Sequence, residues 1–137
     1  MNTIKDATLA ANTLRPFISK NQLSVIGSLC RGEEGQFFKD KLVEMAEIVS
    51  TMPVTYGQDG LGDQAVIHLH YFTGSQDWYI TERDTSEEQH QAFGLADFGD
   101  GGELGYISIA ELIKHGVELD LYWKPRTLSE VRQRKAA

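Results

Sequence analysis

Apolar residues recur along this chain with two different periods, and the change of period divides it. Between residues 19 and 52 they return every three or four positions, the spacing of one helix face. Leu23, Ile26, Leu29 and Cys30 make a first stripe; Phe38, Leu42, Met45, Ile48 or Val49, and Met52 make a longer one. From residue 65 onward apolar and polar positions alternate, the two-residue period of a strand. Over residues 65–72, Ile67, Leu69 and Tyr71 fall on one face, with Val66, His68, His70 and Phe72 on the other.

Local signals place the ends of these elements. Residues 3–12 read as a short, weakly amphipathic helix stopped at Arg15-Pro16, because proline disfavours helix in the residue before it. Ser19 and Gln22 have the spacing of a capping box, with Ile18 and Leu23 as its hydrophobic staple; that helix should end at Gly32. The longest helix spans about residues 36–51 and stops at Pro53. The same cap device returns in Glu103-Leu104-Gly105-Tyr106-Ile107-Ser108-Ile109-Ala110-Glu111-Leu112, a strand running into a helix. Here Ser108 and Glu111 make the box, Ile107 and Leu112 the staple, and Gly116 the stop. Thr127 and Glu130 form a third box before a short basic helix.

Between the helices, residues 77–83 pair back on 65–72 as a hairpin through Thr73-Gly74-Ser75-Gln76, with Trp78 and Ile80 on one face. Residues 92–98 make a third strand, with Gly94 at a bulge or close crossing. Residues 117–123 make a last one, with Val117, Leu119, Leu121 and Trp123 on one face until Pro125 breaks it. Residues 54–64 read as a mobile loop and 84–89 as a polar acidic one. The expected fold is α+β in a single domain, 1–137: N-terminal helices, then an antiparallel sheet of about four strands, with a capped helix before the last strand.

Composition narrows the setting. A chain of 137 residues can bury a sufficient core without a metal or disulfide. The single Cys30 sits on an apolar helix face as an inert buried thiol, and excludes an intrachain disulfide. No apolar run approaches the roughly 18 residues of a membrane span, and no secretory pattern opens the chain, so a cytoplasmic protein is expected. The net charge of -7 is concentrated. Asp77, Glu82, Asp84, Glu87, Glu88, Asp97, Asp100 and Glu103 face only Arg83 within residues 77–104. Lys124, Arg126, Arg132, Arg134 and Lys135 reverse the sign at the C-terminal tip. An acidic body of this kind argues against direct DNA binding, which needs clustered lysine and arginine.

Candidate chemistry is thin. His68 and His70 alternate on one strand face, about 6 to 7 Å apart at the backbone, and Glu82 is the nearest third ligand for a metal-dependent enzyme. Zinc sites need three or four ligands, and two histidines alone are not a signature. Gly57, Gly60 and Gly62 precede a strand instead of linking a strand to a helix, the wrong context for a phosphate cradle, so no cofactor is expected. Asp97-Phe98-Gly99 copies a kinase tripeptide without the loops that give it meaning. Asp97, Asp100 and Glu103 lack the spacing of a calcium loop. Tyr71, Trp78, Tyr79, Phe93, Tyr106 and Trp123 gather on the sheet, as in stacking platforms for single-stranded nucleic acid, but their neighbours are acidic.

Three stretches together resemble a known family. They are Asp77-Trp78-Tyr79-Ile80-Thr81-Glu82-Arg83-Asp84 with Phe93-Gly94, the segment 103–112, and Leu119-Asp120-Leu121-Tyr122-Trp123-Lys124-Pro125. The chain is similar over residues 64–130 to a bacterial domain family of unknown function carried on conjugative plasmids, integrative elements and some phages. Phe17-Ile18-Ser19 with the helix behind it resembles the family's usual opening, and the helix at 36–52 looks like an insertion relative to the family's shortest members. The resemblance implies a mobile-DNA setting and brings no catalytic residues. With the local charge, it points to a non-enzymatic accessory protein acting by protein–protein contact. Glu82, Asp84, Glu87, Glu88, Asp97, Asp100 and Glu103 would then occupy the nucleic-acid-binding groove of a host or defence protein.

Overall fold

The computed structural model describes residues 1–136, and the side chains of residues 1–134. Three helices come first: α1 (Ile4–Leu14), α2 (Lys20–Leu29) and α3 (Gly35–Thr51). The strands β1 (Val66–Ile67), β2 (Leu69–Thr73), β3 (Gln76–Glu82), β4 (Ala92–Asp97) and β5 (Glu103–Ile107) follow. The chain closes with α4 (Ile109–Lys114), β6 (Glu118–Leu119), β7 (Arg126–Thr127) and α5 (Leu128–Ala136). This is the expected α+β arrangement. The main sheet has five antiparallel strands in the order β5-β4-β3-β2-β6, and β1 pairs with β7 in a separate ribbon. No described helix is long and apolar enough to cross a membrane.

Caps set where the helices begin. Ser19 accepts from the Gln22 amide at 3.1 Å, and Ser108 from the Glu111 amide at 3.1 Å. Neither box is reciprocal, which corrects the sequence reading. The Gln22 side chain turns instead to β6, donating to Leu119 O at 2.8 Å and accepting from Leu119 N at 2.9 Å. It acts as one rung of ladder on a strand edge that would otherwise present unpaired groups. Glu111 reaches toward His115, 3.5 Å away. Reciprocal boxes form at Thr127 with Glu130, as read, and at Thr3 with Asp6, which caps the start of α1.

The helical layer and the inner sheet face enclose the main core. Leu14, Phe17, Met45, Val49, Leu69, Tyr71, Ile80, Ile109 and Leu119 are all buried there. Tyr71 is fully enclosed, and its hydroxyl donates to Phe17 O at 2.5 Å, which satisfies a group too costly to bury alone. Cys30 is buried here too, and desolvation pushes its thiol pKa up. A second, smaller core lies on the outer sheet face, where Tyr79 and Leu95 meet Ile67, Trp123, Leu128 and Val131. Trp123 donates from Nε1 to Ile67 O at 3.0 Å.

The two cores explain where the strands depart from the alternation in the sequence. The expected strand over 65–72 breaks at His68, so Ile67 serves the outer core while Leu69 and Tyr71 serve the inner one. The expected strand over 117–123 contracts to two residues, because Trp123 must turn to the outer core while Val117 and Leu119 stay with the inner one. Gly94 does mark a close crossing: a Cβ there would lie 1.9 Å from Tyr79 O. The register opposite it slips between Ile80 and Glu82, a bulge in β3. At the hairpin, Gly74 takes φ 54°, as the first central position of a two-residue turn requires.

The half-formed box at α4 yields a contrast in stability. Ser108→Ala should lower stability by about 1 kcal/mol, since it strands a first-turn amide. Glu111→Ala should cost under about 0.5 kcal/mol, because it is exposed and makes no return bond to the cap. Denaturant midpoints measured at equal slope check both; equal losses would mean that the reciprocal bond forms in solution.

Candidate functional site

The seven acids proposed from sequence do not form one surface. Glu82, Asp84 and Asp97 are buried. Asp84 accepts from the amides of Ser86 and Gln91, each at 3.1 Å. Burial pushes its carboxyl pKa up, but backbone donors from Ser86, Gln91, His90 and Thr85 outweigh that and hold it below the ordinary value. Asp84 thereby organises the β3–β4 loop around Gln89, which is fully buried and donates from Nε2 to Ser86 O at 2.8 Å. Asp97 and Asp100 each accept from the amide two residues on, at Gly99 and Gly102. Glu87, Glu88, Asp100 and Glu103 remain exposed. The first two precede β4 and the last two follow it, so a strand of roughly 20 Å separates them.

The histidines part company as well. His70 lies between two carboxylates, with Nδ1 2.9 Å from Asp120 and Nε2 2.8 Å from Asp77. A neutral ring offers one N–H, so the second contact needs a doubly protonated ring or a protonated carboxyl. The ring stacks on Tyr79 at 4.8 Å and 10°. Through Asp77 on β3 and Asp120 beyond β6, His70 ties three segments together. Burial pushes Asp120 up; its bonds from His70 and the Tyr122 amide, with the charges of His70 and Arg126, more than offset this and hold it low. His68 is half-buried, and burial lowers its pKa. No group of three or more metal-ligating side chains is gathered among the described residues, so His68, His70 and Glu82 are not brought to one point.

The other sequence candidates are mostly engaged. Tyr71, Tyr79 and Trp123 are core residues. In the basic tip, Arg126 lies 4.4 Å over the Trp123 ring and Arg132 bridges Asp63 at 3.2 Å. The Lys135 side chain falls outside those described.

What the fold does expose is the outer edge of β5. This strand ends the sheet, pairing with β4 on one side and with no described strand on the other. Leu104 and Tyr106 alternate onto its outer face, where Tyr106 is 57% exposed. Phe93 meets Tyr106 edge to face at 5.8 Å, and the Tyr56 hydroxyl hydrogen-bonds that of Tyr106, which raises the Tyr106 pKa. Beside them opens a cavity of about 540 Å³ lined by Tyr56, Gln58, Thr81, Glu82, Phe93 and Leu104, among others. The loop that roofs it is tied down, which differs from the mobile segment expected. Gln58 donates to Val66 O and Thr81 O, each at 2.8 Å, and accepts from Val66 N at 2.7 Å. Sequence reasoning did not single out Tyr56, Gln58 or Leu104. The alternation of Leu104 and Tyr106 was visible, but not that β5 would be an edge.

The model of a protein family described as a protein of unknown function (DUF2958) matches residues 41–132. The match starts inside α3 and takes in the C-terminal part of that helix, while α1 and α2 precede the match. Neither a curated protein nor a solved structure matches the chain.

The Asp120 carboxyl sets a pH dependence. A carboxylate with a depressed folded pKa stabilises the fold above its unfolded value, and that contribution is lost as pH falls through the folded one. Asp120→Asn should therefore be less stable than the unmodified protein at neutral pH, and the gap should close as pH falls below the ordinary aspartate value of about 4. Urea titrations across that range check it; a gap that does not vary with pH would assign the loss to packing alone.

Proposed function

This chain belongs to the DUF2958 family of proteins of unknown function, and from that premise we propose a non-enzymatic accessory role exercised by contact with another protein. The observation that carries the reading is the free edge of β5, with Leu104 and Tyr106 exposed beside the cavity. An extended segment of a partner adds to such an edge by main-chain hydrogen bonds, and its alternate side chains enter the neighbouring groove. The four exposed acids give this edge a sign. Asp100 and Glu103 stand at its start. At its end Ser108 Oγ lies 3.4 Å from His90 Nδ1, and His90 Nε2 lies 3.7 Å from Glu88. An apolar strand edge with carboxylates at both ends favours a basic segment, steering its approach more than adding affinity.

In the mobile-DNA setting of the family resemblance, that partner is a host or defence protein, and the segment belongs to its basic nucleic-acid-binding surface. The same acids repel DNA, so the protein itself should not shift a DNA probe at moderate salt.

A random peptide library displayed against the protein tests the reading. Retained peptides should be extended, with Lys or Arg alternating with apolar residues, and should slow amide exchange over residues 103–107. A Leu104→Arg, Tyr106→Arg double variant with unchanged circular dichroism should lose them, and rising salt should slow their association. Helical binders, binders that ignore the double variant, or direct DNA binding would overturn it.

A further inference from the structure

We propose that the cavity beside β5 is a guanidinium pocket, with Glu82 as its anion, that takes an arginine side chain of the partner segment. The inference rests on the edge-binding reading above and names what enters the groove. Glu82 is 5% exposed, and no described donor makes a hydrogen bond or ion pair with its carboxylate. The side chain is enclosed, but its carboxylate oxygens are not among the fully buried atoms left without a partner, so they open onto the cavity, where a cation can reach them. Its direction follows from the register. The bulge pairs Glu82 with Phe93, and cross-strand partners share a face, so both side chains stand on the outer face and both line the cavity.

The remaining walls match the same ligand. Tyr56 and Phe93 present aromatic rings, which attract a cation over their faces. Asp59 adds a second carboxylate, and no described lysine, arginine or histidine lines the space. The volume, about 540 Å³, is within the range of pre-formed ligand sites and exceeds what an extended arginine needs. Guanidinium fits better than ammonium because its planar fork can engage a carboxylate with two bonds while stacking on a ring. The exposed acids at both ends of β5 add the long-range attraction that a basic ligand requires.

The test titrates N-acetyl-arginine amide, and its citrulline counterpart, into the full chain while backbone and aromatic resonances are followed. Citrulline keeps the shape and removes the charge. The arginine compound should shift resonances of Tyr56, Phe93 and Leu104 and saturate, and the citrulline compound should bind at least about tenfold more weakly. Glu82→Gln should abolish the difference between the two, while its melting temperature changes little, since the carboxylate makes no hydrogen bond or ion pair with a described residue. Equal binding of both compounds, shifts confined to Glu87, Glu88, Asp100 and Glu103, or an unaltered response in Glu82→Gln would overturn the pocket. Library peptides with arginine replaced by citrulline separate the two readings. Binding that survives the replacement keeps the β5 edge and ends the pocket; arginine amide that binds through Glu82 while no peptide protects residues 103–107 keeps the pocket and ends the edge.

Discussion

The fold depends on β3 being buried on both faces. Ile80 faces the helical layer and Tyr79 the outer cluster, so neighbouring residues of this strand answer to different cores. A strand in that position cannot keep a simple apolar–polar alternation, and its neighbours must bend to supply both sides. The break in the chain at His68 does this for β1 and β2, and the His68 amide still bonds Ile80 O at 2.9 Å across the break. The bulge after Ile80 does it for β3. One extra residue flips the parity, so Glu82 leaves the inner face it would otherwise occupy and joins Phe93 outside. Gly94 sits opposite this slip because no side chain would fit against Tyr79 O. The cavity beside β5 is thus a by-product of how the sheet serves two cores.

That dependence also sorts what was legible in the sequence. Helix starts were, because a cap is a contact over three residues. Ser19, Ser108 and Thr127 all stand where their spacing put them. The return bonds of Gln22 and Glu111 were not, because a long side chain is free to seek a better partner. Gln22 found one 97 residues away, where the amide and carbonyl of Leu119 had no other strand to pair with. The sheet and its antiparallel sense were legible from alternation and turn residues. The length of the last strand was not, since nothing in Val117–Trp123 announces that Trp123 belongs to a different core.

The acidic stretch teaches a narrower lesson. Acids in sequence were read as acids on a surface, yet three of seven are buried. Asp84, Asp97 and Asp100 share a pattern the chain does display: each accepts from the amide two residues later, at Ser86, Gly99 and Gly102. A short carboxylate with Ser or Gly two positions on is a turn-forming device before it is a charge. Counting net charge over the window merged such residues with Glu87, Glu88 and Glu103, which are exposed and make no comparable turn. The candidate site therefore has to be found from topology. Only the strand order shows that β5 is terminal, and only the bulge shows that Glu82 looks outward.

Glu82 differs from the other buried acids in a way that bears on function. Asp84 receives backbone donors, and Asp97 receives at least one. Their burial is offset within the fold, and each earns its place by shaping a turn. Glu82 shapes no turn and caps no helix, while the bulge that turns it outward disturbs an otherwise regular ladder. Glutamine would fill the same volume without the charge. Local rules are broken in proteins chiefly at functional sites. Here two departures from regularity, a bulge and an unpaired carboxylate, converge on one cavity at the free edge of the sheet. On the proposed reading, that convergence makes this edge, and not the acidic stretch as a whole, the surface offered to a partner.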